Sequence, residues 1–302
     1  VTMPPKLTRP AGHDDSVFVL NISGGKDSAA GACAMIEAGI PCRYVAADTA
    51  WEANKPGVAV WLEYLATIER VLRIRIERVG VPGGMVAVAR KKAGFPFRRG
   101  RWCTETLKLE PIRAHLDAIR EAEQTDTVSV LGVRAEESDA RAAMPEFEYA
   151  ADWGGYIWRP LHRWTIADVL AIHHRHGLPV NPLYQLGFER VGCMPCIMSG
   201  RKDIRLLARH FPERVAEIEA LEAEFTVERA RRNATGEGEF KHPVATFFQS
   251  KRKGEVLPIR DAVAWARAER GGRQLPLIDD APDTGCFRWG LCDAPSTTTA
   301  DE

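Results

Sequence analysis

The chain has no apolar run approaching the roughly 18 residues that a membrane-spanning helix needs. Its opening stretch, VTMPPKLTRPAGHDD, has no apolar segment of the kind found in a secretory leader, so a cytoplasmic location and no membrane partner are expected. It has no excess of charge, because 41 Lys and Arg balance 41 Asp and Glu. That balance excludes a uniformly basic nucleic-acid coat protein and an acidic solvating tail, but it allows a local basic patch. The seven cysteines, at positions 33, 42, 103, 193, 196, 286 and 292 of 302 residues, are too few and odd in number for a small disulfide scaffold. In a reducing compartment, clustered cysteines are more often metal ligands or nucleophiles. There is no internal repeat, and the GxxxxGK[ST] phosphate-loop pattern is missing, which excludes a P-loop NTPase. His173, His174 and His176 lack a carboxylate at zincin spacing and read as the basic end of a helix.

What is present is an alternation of strand-like and helix-like segments. Residues 16–22 (SVFVLNI) read as a buried strand, the small-residue turn SGGKDS follows, and AAGACAMIEAG reads as a helix stopped at Gly39. Residues 42–47 and 73–79 read as further strands, 56–72 and 105–123 as helices, and 127–133 (TVSVLGV) as another strand. This order predicts an α/β fold with a mostly parallel sheet and helices on both faces. Thr165 with Asp168 resembles a capping box opening a helix that Gly177 and Pro179 end, and 203–232 reads as one long charged helix. The expected organisation is a flexible N-terminus over 1–15, a nucleotide-binding domain over 16–225 and a mostly helical or irregular extension over 226–302. Cys33 and Cys42, in apolar company, read as core residues, and Trp153, Trp158 and Trp164 as packing residues.

The most specific local signal is Ser23-Gly24-Gly25-Lys26-Asp27-Ser28. A buried strand delivers the chain to a glycine pair and a helix starts at once. Glycine admits positive φ and close approach of an anion to the backbone, and amides at a helix N-terminus then point at one spot suited to a polyphosphate. Lys26 adds a compact charge, and Ser23 and Ser28 add hydroxyls. The plain alternative is a turn that binds nothing. Asp48, at the carboxyl end of the second strand, lies where open α/β sheets bind ligands; its alternative role is a turn aspartate.

SGGKDS resembles the PP-loop of the ATP pyrophosphatases. Later segments are similar to the phosphoadenylyl-sulfate reductase-like family of that superfamily: Cys103-Thr104-Glu105-Thr106-Leu107-Lys108 with Pro111; Gly132-Val133-Arg134 with Ser138 and Arg141; Pro160-Leu161 with Trp164-Thr165 and Asp168; Asn181-Pro182-Leu183-Tyr184; and Gly192-Cys193-Met194-Pro195-Cys196. Together they cover about residues 17–200 in the family order. The WCTxxLK segment resembles the DNA phosphorothioation ATP pyrophosphatase branch. Two departures stand out: Thr104 occupies the second position of an adjacent cysteine pair, and Cys286-Phe287-Arg288-Trp289-Gly290-Leu291-Cys292 replaces the reductases' terminal cysteine segment.

The resemblance implies an adenine nucleotide alpha hydrolase-like fold that binds ATP, or a sulfonucleotide, with Mg²⁺. The expected nucleotide contacts are Ser23, Gly24, Gly25, Lys26, Asp27, Ser28, Asp48, Lys108, Arg134 and Arg141, with Lys26, Asp27 and Arg134 as catalytic groups. The Cys193-x-x-Cys196 spacing lets two thiolates reach one metal, and the family match brings Cys103 near them. Cys286 or Cys292 completes a set of four, with Cys286 the expected ligand. Four thiolates suit zinc or a four-iron cluster equally, and the resemblance favours a 4Fe–4S cluster. Unliganded thiols or a redox dithiol are the alternatives.

The implied activity is adenylation of an acceptor in sulfur transfer, with a nucleic acid as acceptor and a cysteine desulfurase as sulfur donor. A sulfonucleotide reductase served by thioredoxin, and a nucleotide- or cluster-sensing subunit, are the alternatives. Lys91, Lys92, Arg98, Arg99 and Arg101 crowd the stretch before Cys103 and could meet phosphate or simply face solvent. Lys251-Arg252-Lys253 reads as plain surface.

Overall fold

A computed structural model describes residues 7–51, 60–249 and 256–268. Cys286, Cys292 and the Lys251-Arg252-Lys253 cluster lie outside the described residues. The core is a six-stranded sheet built from β1 (Val17–Asn21), β2 (Cys42–Ala47), β3 (Ile76–Val79), β4 (Thr127–Val130), β5 (Phe147–Ala150) and β6 (Gly155–Trp158), in the order β3-β2-β1-β4-β6-β5. All neighbours are parallel except the edge pair β5 and β6. The expected α/β class with a mostly parallel sheet is what the chain forms.

Strand alternation sorts β1 onto two faces. Phe18, Leu20 and Ile22 join a core with α1 (Lys26–Glu37), α2 (Val60–Leu72) and α7 (Ile166–Arg175). Val17 and Val19 face the opposite way, with Val45 and with Ile112, Leu116 and Ile119 of α5 (Glu110–Glu123). The crossover after β1 leads outward to β2 and β3, whereas the one after β3 returns to the other side of β1. The chain therefore reverses direction between β1 and β4, and that crevice is where such sheets bind ligands.

A third cluster stands beyond the carboxyl ends of the strands. It contains residues of α3 (Gly84–Lys92), the cysteine-bearing loop, α9 (Arg201–His210), α10 (Pro212–Thr235) and α11 (Ile259–Arg267). A short turn, α4 (Trp102–Thr104), and a π-helical stretch (Glu105–Leu109) lead into α5, while α6 (Asp139–Ala142) and α8 (Pro182–Gln185) are single turns. A small ribbon joins β7 (Phe248–Gln249) to β8 (Val256–Leu257).

Several expectations need correction. The charged stretch 203–232 is two helices, because α9 ends at Phe211 and Pro212 restarts the chain as α10. The domain boundary drawn after residue 225 falls inside α10, where Phe225 is buried in the third cluster. The strands β5 and β6 went unread because neither presents a buried apolar run: β5 is an edge strand with no fully buried residue, and only Gly155 and Trp158 of β6 are buried. Residues 7–15, expected to be loose, are anchored: Leu7 packs on the main core, Arg9 sits over Phe18, and the His13 ring is 4.3 Å from that of Tyr156. Cys33 and Cys42 are packed as expected, and burial pushes both thiols up to about 12. Trp158 and Trp164 are buried, and the Thr165–Asp168 capping box forms. No helix among the described residues is long and apolar enough to cross a membrane.

Glu222, a buried carboxylate on α10, ties the last segments together. It accepts the amides of Phe247 (2.7 Å) and Ile259 (2.9 Å). Glu222→Ala should cost about 1–3 kcal/mol for each amide left unsatisfied, measured by urea denaturation, with faster hydrogen exchange at Ile259.

Candidate functional site

The loop between β1 and α1 is shaped by donors brought from elsewhere. Its carbonyls are held one by one: Trp61 Nε1 donates to Ser23 (3.0 Å), Asn181 Nδ2 to Gly24 (3.0 Å) and Ser28 Oγ to Gly25 (3.0 Å). His173 places Nε2 2.8 Å from the Lys26 carbonyl and Nδ1 3.0 Å from that of Leu178. Burial holds His173 below the ordinary imidazole range. The amides of Ser23, Gly25 and Lys26 make 3.1–3.4 Å contacts to the hydroxyls of Ser28, Ser23 and Tyr184. Gly24 has φ +79°, and a Cβ there would sit 2.5 Å from Trp61. Gly132 is needed for packing, since a Cβ there would be 2.8 Å from the backbone of Asp27 and Ser28.

Two charges sit under the loop. Asp27 pairs with Lys26 Nζ (2.8 Å) and with Arg134 Nε (2.6 Å). Burial pushes the Asp27 carboxyl up, but the two cations outweigh it and hold it below the ordinary carboxylate range. Arg134 is only 3% exposed and also bonds Glu136 and the Trp164 carbonyl.

Three cavities meet above the sheet. The first, about 170 Å³, is an apolar slot whose walls include Asn21, Val45, Ala47, Asp48, Trp51 and Ile112. The second, about 410 Å³, is lined by Ser23, Gly25, Lys26, Ser28, Arg141 and Tyr184 among others, and its size is in the ordinary range for ligand sites. The third holds Cys103, Cys193 and Cys196 in its wall. Lys108 and Cys193 line all three, and Cys196 lines the second as well.

The cysteine turn is clamped from α10. Arg214 lies 4.0 Å over the Trp51 ring, donates from Nε to the Met194 carbonyl (3.1 Å) and also bonds the Trp51 carbonyl, while Trp51 Nε1 donates to Pro195 (2.8 Å). Arg190 Nε donates to Cys196 Sγ (3.1 Å), and Asp203, buried on α9, accepts the Glu189 amide (2.9 Å). The neighbouring Cys193 raises the affinity of Lys108 for its proton against the effect of burial, whereas burial, with Cys193 adding to it, raises that of Cys103.

The predicted residues fall into distinct places. Ser23, Gly25, Lys26, Asp27, Ser28, Lys108 and Arg141 line the second cavity, with Gly24 in the same loop; Arg141 is half-exposed and paired with Glu137. Asp48 lines the slot and accepts the Ala50 amide (2.8 Å), as a turn aspartate does. Arg134, expected to touch the nucleotide, instead sits behind the loop as the partner of Asp27, because a buried guanidinium needs carboxylates around it. Cys103, Cys193 and Cys196 share one cavity, yet among the described residues no group of three or more Cys, His, Asp or Glu comes close enough together to hold a metal ion.

Sequence reading missed Asn21, Trp61, His173 as a loop partner, and Arg190. Asn21 had a visible signal, a lone amide ending an apolar strand. Its Nδ2 donates across the crevice to Ser129 Oγ (2.9 Å) and the Val130 carbonyl (3.3 Å), which fixes the amide's orientation. Its Oδ1 is buried with no hydrogen-bond partner among the described residues. Asn21 lines both the slot and the second cavity, and its Oδ1 is one of the few buried side-chain polar atoms left unpaired among the described residues.

A glycine loop at the turning point of an α/β sheet, with an apolar slot and a thiol-lined cavity beside it, defines an α/β domain of the class that places its ligand site at the carboxyl ends of the strands. Residues 17–199 match the phosphoadenosine phosphosulfate reductase domain, and the chain belongs to that family. It is 28% identical over 314 residues to the 37.8 kDa protein of the gpa 5′ region of Escherichia phage 186, covering 88% of this chain and 92% of that one. It is 32% identical over 142 residues to the adenosine 5′-phosphosulfate reductase of Allochromatium vinosum, covering 45% of this chain and 52%, about half, of that one. Among solved structures it is similar to the phosphoadenylyl-sulfate reductase of Candida auris in its phosphate complex, with a TM-score of 0.47 and 17% identity over 62% of this chain and 85% of that one.

The Asp27 pairs give a prediction with a defined sign. A carboxyl whose folded pKa is depressed contributes stability that is present above its unfolded value near 3.8 and lost as pH falls through the folded value. Asp27→Asn should therefore lower stability at pH 7 by about 3–5 kcal/mol, the cost of stranding a buried partner. It should also flatten the acid limb of a denaturation series run downward from neutral pH to well below 3.8, where the wild type loses this contribution.

Proposed function

We propose that this chain binds an adenine nucleotide and uses it in sulfur transfer. The reading rests on one observation: slot, anion cavity and thiol cavity are contiguous, with Lys108 and Cys193 in the walls of all three. Adenosine takes the slot beside Asp48, and the outer phosphates of ATP take the loop amides, Lys26 and the Ser23 and Ser28 hydroxyls. An acceptor oxygen attacks the α-phosphorus, the bond to pyrophosphate breaks, and a sulfur nucleophile then displaces AMP from the acceptor. Lys26 and Lys108 stabilise charge on the leaving pyrophosphate, a matter of positioning and electrostatics. Asp27 and Arg134 act by holding Lys26 and the loop in place. Mg²⁺ would neutralise further phosphate charge. The acceptor in this reading is a nucleic acid.

The sulfur donor set of Cys103, Cys193 and Cys196, with lysine and arginine around it, has the chemistry for a soft metal centre. A 4Fe–4S cluster on these thiols, with Cys286 as fourth ligand and zinc as the alternative metal, would supply a redox or sulfur-binding centre there. Iron and sulfide analysis of protein purified without oxygen tests that part separately.

A second reading is favoured by Cys193 and Cys196 lining the same cavity as the loop, and by the reductase relatives. In a sulfonucleotide reductase the loop holds sulfate, a cysteine thiolate attacks the sulfur and releases the nucleotide, and a thioredoxin-type dithiol then frees sulfite. Pyrophosphate release from ATP, compared with sulfite release from adenylyl sulfate, separates the readings. The first expects pyrophosphate, lost in Lys26→Ala, and no sulfite; sulfite alone overturns it. Gly132→Ala, by pressing on the loop backbone, should weaken ATP binding at least tenfold, about 1.4 kcal/mol, by calorimetry, with the circular dichroism spectrum unchanged.

A further inference from the structure

Residues 90–101, RKKAGFPFRRGR, carry six basic side chains and no acidic one, in a chain whose total charge is zero. Arg90 is neutralised by Glu224. Lys91, Lys92, Arg98, Arg99 and Arg101 are exposed, and no carboxylate among the described residues pairs with them. The geometry explains how they gather. Phe97 and Gly100 exchange two backbone hydrogen bonds (3.2 and 3.0 Å), making a tight hairpin with Arg98 and Arg99 at its tip. The Phe97 side chain lies across Gly100 and is 44% exposed. On the flank, Lys92 Nζ sits 5.8 Å over the Trp102 ring. The base of the hairpin, Pro96 and Arg101, forms part of the wall of the cavity that holds Cys103, Cys193 and Cys196.

We propose that this hairpin and the end of α3 form a docking surface for single-stranded nucleic acid, placing it at the mouth of the thiol cavity. A concentrated charge with no carboxylate partner among the described residues, in a neutral protein, calls for a polyanion. Arginines at a hairpin tip can grip backbone phosphates through forked contacts. The exposed Phe97 ring between the charges offers a face on which an unpaired base can stack, a feature that an acidic polypeptide would not use. Docking itself requires no chemistry; only its purpose, bringing an acceptor to the thiols, rests on the sulfur-transfer reading.

The test is fluorescence anisotropy of the full chain with a labelled single-stranded oligonucleotide, from 50 to 200 mM salt. Poly-glutamate and duplex DNA of equal length serve as competitors, and ATP affinity is measured in parallel. Five cations allow a slope of log affinity against log salt as steep as about −3.5 for a single strand. Arg98→Ala with Arg99→Ala should flatten it by about 1.4. Phe97→Ala should weaken binding about tenfold, within the range of one base-stacking contact, and leave the slope unchanged. ATP affinity should be the same in all three proteins. Undetectable binding at 50 mM salt, unchanged binding in the double variant, equal competition by poly-glutamate, or tighter duplex binding that ignores Phe97→Ala would each overturn the proposal. Loss of pyrophosphate release alone would instead count against the sulfur-transfer reading and leave the docking surface standing.

Discussion

The structure depends on keeping the carbonyls of one short loop occupied from behind. A loop that turns sharply out of a buried strand has as many acceptors as donors, and an anion is repelled by any carbonyl that swings towards it. Here Trp61, Asn181, His173 and Ser28 each take one carbonyl between Ser23 and Lys26. Three of those donors come from distant parts of the chain, so packing of α2, α7 and the turn at Asn181 becomes a condition for the loop's polarity. Asp27 adds a second condition, because its carboxylate fixes Lys26 on one side and Arg134 on the other.

The sheet order decides what that loop faces. Because the chain reverses between β1 and β4, the crevice beside the loop is open rather than covered by a crossover helix. Asn21 stitches the two strands at that point. The third hydrophobic cluster then closes the far side and carries the cysteine turn in, held by Arg214 and Trp51. The cysteines therefore sit above a cavity whose glycine loop belongs to a different core. Basic residues gather at the rim of the same cavity, although the molecule as a whole is neutral.

Much of this was legible beforehand because it is local. The apolar run VFVLN, the glycine pair, the Thr165 capping box and the apolar company of Cys33 each concern neighbours in the chain, where local composition and spacing carry the signal. What escaped was set by distant partners. Arg134 looked like a ligand contact because only its position in a motif was visible; its burial against Asp27 depends on how β4 lies beside β1. The strands β5 and β6 escaped because they lie at one end of the sheet and are only partly buried, so neither carries a buried apolar run.

The order of residues by itself determined an α/β domain with a glycine loop opening its first helix, and a pair of cysteines with two residues between them. Strand and helix periods and glycine's freedom at positive φ act within a few residues, and these features need nothing more. Only the tertiary structure decided that slot, loop and thiol cavities share walls, that His173 contacts the loop, and that Arg134 lies beneath it. Those facts follow from burial, since a charged or polar group removed from water must find its partner wherever the folded chain brings one.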